Sequence, residues 1–523
     1  MAVVRAVASG SCLFRLLVER PVGDSAFVLV SPDLTAYSLT CGELRVDAER
    51  FSVFLRERGV GPGQAVAVLL DHSRELLALM LGIWHRGAVA VPLFTELGPE
   101  AVAHRLGRSG AELVFTSVEQ SSKAAGVPGV EVVVVDGDGA MGADVFAARG
   151  DVGEPASYAP DAAIACLFTS GTTGVPKGVP VTMAMTDVFR AGLSCCADAR
   201  PNDLLWVQSP PAWGYFVFFG LLAALLEGVP SLVLCGAAPS PALVRDVLHA
   251  HPVTNFASVP TMYRALRDEA PPDPMRHMVR RCLSSGEPLP EPVREWCEEV
   301  LGPVSDALGQ TETGGWFLAN ADSSALVAAG QTQRPQPRSA MAVLPGFDVR
   351  VLELETADPA PAGVAGRIAL RVPTSPLMAF PGYLDDPEQT AVRYPHGPEW
   401  YVTGDAGVLG DGGLITPLGR ADDLIISRGF NVAPAEMEAV LLRHPAVAEA
   451  AAVGVPDDRH GQALVLQAVP AAGVGGEVEG LSAELKAFVE ADYGDPVPIR
   501  EVRIVAELPR TVTGKIRRML LEP

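Results

Sequence analysis

Residues 167–178 read LFTSGTTGVPKG. The question is why glycines, hydroxyl side chains and a lysine are concentrated directly after an apolar run. The apolar run at 164–168 before it is typical of a buried strand, and we expect a donor-rich loop over Thr169–Gly178. Glycine lets a backbone bend close to a ligand, so amides and hydroxyls can surround an anion, with Lys177 adding positive charge. An ordinary turn is the alternative. The stretch is not a P-loop, because Gly178 rather than Ser or Thr follows Lys177.

The overall composition limits the classes of partner. The chain has 523 residues, of which 48% are hydrophobic and 20% are charged, with a formal net charge of −22. This length predicts more than one domain. An acidic surface disfavours non-specific binding to nucleic acid or to anionic membranes. We therefore expect no nucleic-acid partner, and any polyphosphate has to bind in a locally positive pocket.

Neither of the two most relevant apolar stretches of the sequence predicts export or membrane insertion. Charged residues, among them Arg5, Arg15 and Glu19, interrupt the apolar N-terminal stretch, which lacks the core of a signal peptide. The most apolar stretch, 214–235, is broken by Glu227 and Pro230, so it predicts a buried helix and a strand rather than a membrane span. The eight cysteines show no metal-ligand spacing. We expect a cytoplasmic protein with reduced thiols.

The order of elements predicts an α/β protein of two domains. Over the first four hundred residues, strands such as 65–71, 88–93 and 231–236 alternate with helices such as 74–87 and 241–252, which implies parallel sheets with crossover helices. Residues 345–420 predict a barrel-like piece of strands joined by turns. The last hundred residues predict a small α+β unit. We place the domains at 1–420 and 421–523.

Further polar clusters follow apolar runs elsewhere in the chain: LGQTE at 308–312, YVTGD at 401–405 and PRTVTGKIRR at 509–518. Taken singly, each is typical of a turn or a solvated charged surface. In this order, together with TSGTTGVPKG and GRADDLIISRGFNVAPAEME, they resemble the signature set of the adenylate-forming superfamily. That superfamily comprises acyl- and aryl-CoA synthetases, luciferases and peptide-synthetase adenylation domains. The resemblance extends from about Leu39 to Arg518. VPTMYRAL (259–266) and SSGEPLPEPV (284–293) look most like the benzoate and medium-chain acyl-CoA ligase branch.

The resemblance implies a two-step reaction with ATP, Mg²⁺ and coenzyme A. A carboxylate attacks the α-phosphate of ATP, pyrophosphate leaves, and a thiol then displaces AMP from the acyl-adenylate. Adenylation brings an anion towards a polyanion, so positioning and charge neutralisation matter most. The small domain is expected to rotate between the two steps, with Asp422 at the hinge.

The resemblance also implies roles for individual residues. Lys515, Glu312 and Thr172 would be catalytic: Lys515 would bridge the substrate carboxylate and the α-phosphate, and Thr172 and Glu312 would place Mg²⁺. Asp405 would accept the ribose hydroxyls, and Arg420 would reach the ribose and phosphate. The full set expected to bind ATP or AMP is Thr169, Ser170, Gly171, Thr172, Thr173, Gly174, Lys177, Gly286, Glu287, Pro288, Leu308, Gly309, Gln310, Thr311, Glu312, Asp405, Arg420 and Lys515. Arg428, Gly429 and Phe430 would meet coenzyme A.

Aromatic and small residues cluster where this family builds its acyl pocket. Trp213, Tyr215 and Phe216 could form apolar walls, and Gly314 and Gly315 would leave space at the floor. Core packing is the alternative, which we favour for the phenylalanines. Apart from Glu312, neither 210–220 nor 311–317 carries a charged side chain. We therefore expect an apolar carboxylic acid: aromatic, cyclic or medium-chain.

The sequence departs from the family pattern in three places. Leu308 stands where many members have an aromatic residue, and Met183 stands where many have histidine. The third departure is larger, because the turn PRSAMAVLPG (337–346) keeps only Pro345 and Gly346 of a glycine- and proline-rich run. That turn borders the acyl pocket in the family. The change indicates a reshaped acid site and could weaken adenylation.

Three alternatives to an acyl-CoA ligase stay open from the sequence. One is an adenylating enzyme that loads a carrier protein instead of coenzyme A. Another is a member specialised for the thioester step on a supplied acyl-adenylate. The third is a non-catalytic binding protein with the same fold, against which the retained Lys515, Glu312, Asp405 and Arg420 argue.

Overall fold

The structure is a computed structural model, and it describes residues 11–136, 150–169, 176–236, 239–269, 279–328, 339–427, 430–432, 434–457, 461–471, 478–493, 498–510 and 516–521. The described strands, numbered along the chain, are β1 (Ser25–Val30), β2 (Ala36–Thr40), β3 (Ala65–Leu69), β4 (Val89–Pro92), β5 (Leu113–Thr116), β6 (Glu131–Val134), β7 (Ala163–Thr169), β8 (Lys177–Thr182), β9 (Leu205–Val207), β10 (Ser231–Leu234), β11 (Asn255–Ser258), β12 (Arg281–Ser285), β13 (Val304–Gln310), β14 (Gly315–Asn320), β15 (Ala342–Val343), β16 (Val349–Leu352), β17 (Ala365–Arg371), β18 (Trp400–Leu409), β19 (Ile415–Arg420), β20 (Ile425–Ser427), β21 (Phe430–Val432), β22 (Val447–Asp457), β23 (Gly461–Pro470) and β24 (Ile499–Ile504).

The described helices are numbered in the same way. They are α1 (Leu13–Val18), α2 (Cys41–Glu57), α3 (Arg74–His85), α4 (Pro99–Ser109), α5 (Thr186–Cys195), α6 (Ala224–Glu227), α7 (Pro241–Ala250), α8 (Pro260–Glu269), α9 (Glu291–Val300), α10 (Ser324–Ala328), α11 (Pro387–Val392), α12 (Pro434–Leu441) and α13 (Val478–Tyr493). A π-helix spans Tyr215–Ala223.

Two mixed sheets form the frame of the large N-terminal part. One has nine strands in the order β15-β14-β13-β12-β11-β9-β10-β1-β2, and the other has six in the order β6-β5-β3-β4-β7-β8. Their central strands pair in parallel, as the alternating pattern predicts. The pairs β1–β2, β13–β14 and β7–β8, at or next to the sheet edges, are antiparallel, which the sequence reasoning did not foresee. Their short connections explain the direction, because a parallel pair needs a crossover of a dozen or more residues.

A shared apolar core joins these sheets. Ser73 caps the start of helix α3, where its side chain accepts from the Leu76 amide, and the helix residues from Leu76 to His85 are all buried. The indole of Trp84 in this helix donates to the carbonyl of Ile164 in β7, at 2.9 Å. The apolar stretch 214–235 folds as predicted into a buried helix and then strand β10, except that the helix begins as a π-helix. No helix among the described residues is long and apolar enough to cross a membrane.

The barrel-like piece expected at 345–420 is an antiparallel four-stranded sheet, in the order β16-β17-β18-β19. Beyond it, β22, β23 and β24 form a small sheet with α12 and α13, and this unit has its own apolar core. The face predicted for α12, made by Met437, Val440 and Leu441, is buried there. The α/β class, with a large N-terminal and a small C-terminal part, is confirmed. The boundary at 420/421 stays a prediction.

Candidate active site

The first cluster joins residues from two different sheets. Gln310 ends β13, and its Nε2 donates to the Asp405 Oδ2 at 2.7 Å and to the Thr403 carbonyl at 2.8 Å, both in β18. The Tyr401 hydroxyl donates to the Gln310 Oε1 at 3.0 Å, so the amide is held at both ends. Two residues with separate predicted roles, adenine for Gln310 and ribose for Asp405, therefore lie side by side.

Asp405 also pairs across the strand. Asp405 and Arg420 are register partners in β18 and β19, and the Arg420 Nη1 lies 3.2 Å from the Asp405 Oδ1. The Asp405 side chain is 12% exposed, whereas that of Arg420 is 34% exposed. This carboxylate can accept hydrogen bonds from a ligand at its exposed side, with Arg420 at the rim beside it.

Glu312 forms a second, buried cluster. Its Oε1 accepts a hydrogen bond from the Tyr383 hydroxyl at 2.7 Å, and the Arg393 Nη2 lies 3.8 Å from the same oxygen. The Arg393 Nε donates to the Tyr383 hydroxyl at 2.9 Å. Burial, and then the Glu312 charge, raise the pKa of Tyr383, so its hydroxyl keeps the proton that it donates.

Lys177 lies next to this second cluster. Its Nζ is 5.0 Å from the centroid of the Tyr383 ring. Burial, followed by the charge of Arg393, lowers the pKa of Lys177, whereas Glu312 acts in the opposite sense. Lys177 is buried beside this cluster, where its positive charge can neutralise an incoming anion with little screening by water.

The loop expected at Thr169–Gly178 is shorter than predicted. Thr169 and Lys177 are register partners at the loop end of the β7–β8 hairpin, so Lys177 and Gly178 already belong to a strand. A Cβ on Gly178 would lie 3.2 Å from both the Cys166 Sγ and the Leu384 Cβ. Close packing between β7 and Leu384 therefore explains this glycine.

The residues predicted to border adenine form a small exposed rim. Gly286 has φ +98, and a Cβ there would lie 3.2 Å from the Trp213 ring. Glu287 accepts a hydrogen bond from the Thr261 hydroxyl at 2.6 Å. Pro288 is exposed beside them, and Leu308, Gly309 and Thr311 are half-buried at the β13–β14 turn.

Trp213 also lines a cavity of about 160 Å³. Val259, Met262 and Ala265 form much of its apolar surface, and Gln208, Ser209 and Thr261 contribute polar atoms. Among the described residues, none that lines this cavity is charged. Since Gly286 and Thr261 adjoin both features, the cavity opens beside the rim predicted for adenine.

The other residues predicted for the acyl pocket lie deeper. Phe216 belongs to the apolar core, in agreement with the packing alternative. The centroid of its ring lies 4.3 Å from that of the His72 ring. The buried Tyr215 donates its hydroxyl to the Leu283 carbonyl at 3.2 Å. Trp316, for which the sequence reasoning assigned no role, lies 5.7 Å from the Tyr215 ring.

The expectation that Gly314 and Gly315 leave open space is wrong. Gly314 has φ +70, and a Cβ there would lie 3.0 Å from Met185. Gly315 has φ +132, and a Cβ there would lie 3.0 Å from the Phe219 ring, which stacks on Trp316. Glycine is needed at both positions because the backbone has a positive φ and the neighbouring side chains leave no room for a Cβ.

Comparison with known proteins identifies the family. Residues 18–384 match the family model described as AMP-binding enzyme, and residues 436–515 match that of the AMP-binding enzyme C-terminal domain. This chain belongs to the AMP-binding enzyme family. The resemblance seen in the sequence motifs is therefore confirmed.

Relatives of this AMP-binding enzyme include aryl-CoA ligases. The chain is 33% identical over 496 residues to a 3-hydroxybenzoate–CoA ligase of Aromatoleum sp. (strain CIB), covering 93% of this chain and 91% of that one. It is 32% identical over 507 residues to the benzoate–CoA ligase of Thauera aromatica, with the same coverage. The solved structure of a benzoate CoA ligase from Burkholderia xenovorans LB400 has a TM-score of 0.82 and 27% identity, covering 98% of this chain and 99% of that one.

Several residues predicted to act in this AMP-binding enzyme lie outside the described residues. They are Ser170, Gly171, Thr172, Thr173, Gly174, Arg428, Gly429 and Lys515. Phe430 begins β21, and Asp422 is exposed in the turn before β20. The roles given to all of these residues stay predictions.

The altered turn at 337–346 is described from Ser339 onwards. Met341 and Ile415 exchange backbone hydrogen bonds at 2.8 and 2.9 Å, which ties the turn to β19. Gly346 has φ +95, and a Cβ there would lie 2.6 Å from Leu377. The retained glycine thus has a packing reason, whereas the effect of the changed residues on adenylation stays a prediction.

Proposed function

We propose that this protein is an AMP-forming acid–CoA ligase that activates an aromatic carboxylic acid. It would form an acyl-adenylate from ATP and then transfer the acyl group to the thiol of coenzyme A. The observation that carries this proposal is the bonded set of Asp405, Gln310 and Arg420 beside the buried Glu312. The aryl-CoA ligases among the relatives support the same reaction and support coenzyme A as the thiol.

In the adenylation step, Asp405 would accept the two ribose hydroxyls of ATP. Arg420 would face the phosphate side of the ribose, and Lys177 would neutralise the β- and γ-phosphates, with the predicted donors at 170–174. Lys515 would hold the substrate carboxylate and the α-phosphate together as charge develops. These groups act by fixed position and charge, which is how phosphoryl and nucleotidyl transfers are usually accelerated.

The residues present fit a magnesium ion bound together with the triphosphate. The described residues contain no group of three or more His, Cys, Asp or Glu side chains that could hold a metal. Glu312 supplies one carboxylate, and Mg²⁺ typically takes one or two carboxylates and completes its shell with substrate phosphates and water. Glu312 and the predicted Thr172 would hold the ion, which neutralises phosphate charge when bound.

The thiol step would use a second arrangement of the small C-terminal part. Asp422 would act as the hinge, and Arg428 and Gly429 would meet the coenzyme A arm. A thiol with a pKa near 8.5 is partly ionised at neutral pH, so this step needs no dedicated base.

The cavity beside Trp213 supports an apolar acid. Its lining carries no charge among the described residues, so a second carboxylate or an ammonium on the substrate would lose hydration without gaining a partner. The relatives named for benzoate and 3-hydroxybenzoate support an aromatic acid as the substrate.

A panel of acids tests the proposal directly. We expect benzoate and its neutral ring-substituted derivatives to give the highest kcat/KM, above hexanoate and far above malonate or phenylalanine. Each acid is assayed twice with ATP and Mg²⁺, once for pyrophosphate release and once for consumption of coenzyme A. Best turnover with a dicarboxylate or an amino acid would contradict the acid class. Pyrophosphate release without consumption of coenzyme A would contradict the proposal that coenzyme A is the acceptor thiol.

Trp213→Ala should change the acid preference more than it changes nucleotide binding. Removing the indole enlarges the cavity, so we expect the KM for benzoate to rise about tenfold or more, with acids bearing larger rings favoured. The Kd for ATP, measured without acid, should change by a smaller factor than the KM for benzoate, since the indole lines the cavity itself and meets the adenine rim through Gly286. Trp296→Ala, at a half-buried tryptophan in α9, is the matched control. An unchanged order of acids would remove Trp213 from the pocket.

A further inference from the structure

Arg393 directs each of its guanidinium nitrogens at the candidate active site. It follows α11, and its side chain is 15% exposed. The Nε donates to the Tyr383 hydroxyl at 2.9 Å, the Nη1 donates to the Thr403 carbonyl at 2.9 Å, and the Nη2 lies 3.8 Å from the Glu312 Oε1. A planar guanidinium held at three points is a rigid fork, which a lysine cannot reproduce.

Tyr383 connects the Arg393 guanidinium to Glu312 by hydrogen bonds. Its hydroxyl accepts from Arg393 and donates to the Glu312 Oε1 at 2.7 Å, so the direction of that hydrogen bond is fixed. Without Arg393, the hydroxyl could turn away. Glu312 would then be free to turn towards Lys177, whose Nζ lies 5.0 Å from the centroid of the Tyr383 ring.

The same arginine links the two clusters of the site. The Thr403 carbonyl accepts from Arg393 and also from the Gln310 amide that binds Asp405. Gly404 has φ +80, and a Cβ there would lie 2.5 Å from the Arg420 Nη2 and 2.8 Å from the Arg393 Nη1. Only a glycine at this position of β18 lets both guanidinium groups approach the backbone.

We propose that Arg393, acting through Tyr383, is a positioning residue that orients the Glu312 carboxylate for the magnesium–triphosphate complex and keeps Lys177 available for the phosphates. This inference rests on the proposed function, since it assigns support to the same nucleotide site. Hydrogen-bonded groups behind a metal ligand typically change metal affinity by about 10- to 100-fold when removed, so the effect should be measurable.

The test uses the full chain with Arg393→Gln, Arg393→Lys and Tyr383→Phe. Tyr383→Phe keeps the ring and removes only the hydroxyl, so it serves if an Arg393 variant fails to fold. The Kd for ATP is measured by calorimetry without acid, once with saturating Mg²⁺ and once with EDTA. Arg371→Gln, at an exposed position ending β17, is the matched control.

We expect Arg393→Gln and Tyr383→Phe to weaken ATP binding in Mg²⁺ by about tenfold or more, and to change binding in EDTA by less than about threefold. Arg393→Lys should recover only part of the loss. Equal weakening with and without Mg²⁺ would show a general structural role and overturn the inference, as would wild-type binding in all three variants. A wild-type protein that binds no ATP would overturn the proposed function, and this inference with it.

Discussion

Lys515→Ala is expected to lower the rate of adenylate formation by about three orders of magnitude and to leave the thioester step nearly unchanged. The lysine would neutralise charge that develops only when the carboxylate attacks the α-phosphate. A group that acts only in that transition state affects kcat for adenylation, and it has no such function when a finished adenylate meets a thiol.

Contacts of Arg510 tie the C-terminal part of the chain to the helix beside the acid cavity. Arg510 and Ile516 form an antiparallel bridge on either side of 511–515. The Arg510 guanidinium donates to the Glu449 Oε2 at 2.7 Å, and the Glu449 Oε1 lies 3.5 Å from the Arg264 Nη1. Arg264 belongs to α8, which also carries three residues of the cavity lining, Thr261, Met262 and Ala265. Arg510 is therefore anchored through Glu449 to the helix beside the proposed acid site, and the position of Lys515 stays a prediction.

The measurement separates the two half-reactions. Pyrophosphate release from ATP and benzoate reports adenylation, and chromatography of the thioester formed from synthetic benzoyl-AMP and coenzyme A reports the second step. Lys486→Ala, at a lysine of α13 that lies 3.9 Å from Glu490, is the control for loss of a positive charge in the same part of the chain. If both half-reactions of the Lys515 variant fell equally with an unchanged Tm, the step-specific role would be wrong.

Local patterns in the sequence predict most elements because strand and helix periodicities are local. The predicted helix at 74–87 and the strands at 65–71 and 88–93 match α3, β3 and β4 within a few residues. The loop ending at Gly178 was predicted too long, since composition shows turn-forming residues but not the strand pairing between Thr169 and Lys177. The π-helix at Tyr215–Ala223 was also beyond prediction, because a segment apolar on all sides has no periodicity to read.

The candidate site was predicted only where motifs mark it. The motifs LGQTE, YVTGD and GRADDLIISRGFNVAPAEME mark Gln310, Asp405 and Arg420 in turn. The structure brings these three residues together. Tyr383 and Arg393 were missed, because their importance lies in tertiary contacts. Tyr383 reaches Glu312 across 71 positions of the chain, and no local pattern connects them. A tyrosine in a glycine–proline turn and an arginine after a short helix look ordinary until the sheets are assembled.

Asp405→Ala is expected to raise the Kd for ATP by about 100-fold or more, since two hydrogen bonds from ribose hydroxyls to a charged acceptor are lost. It should also lower the free energy of unfolding by about 1–3 kcal/mol, because the Gln310 amide and Arg420 lose their shared acceptor. Asp405→Asn keeps the volume and one acceptor oxygen, so it should bind ATP more weakly than wild type and more tightly than the alanine variant.

Calorimetric titration with ATP and with 2′,3′-dideoxy-ATP tests whether Asp405 binds the ribose hydroxyls. Wild type should prefer ATP strongly, and Asp405→Ala should bind the two nucleotides almost equally, because only the hydroxyls distinguish them. Asp411→Ala, at an exposed aspartate in the turn that follows β18, controls for the loss of one negative charge nearby. A preference for ATP that persists in the Asp405 variant would place the ribose elsewhere. It would leave the bonded set of Asp405, Gln310 and Arg420 as a structural link between two sheets rather than part of a nucleotide site.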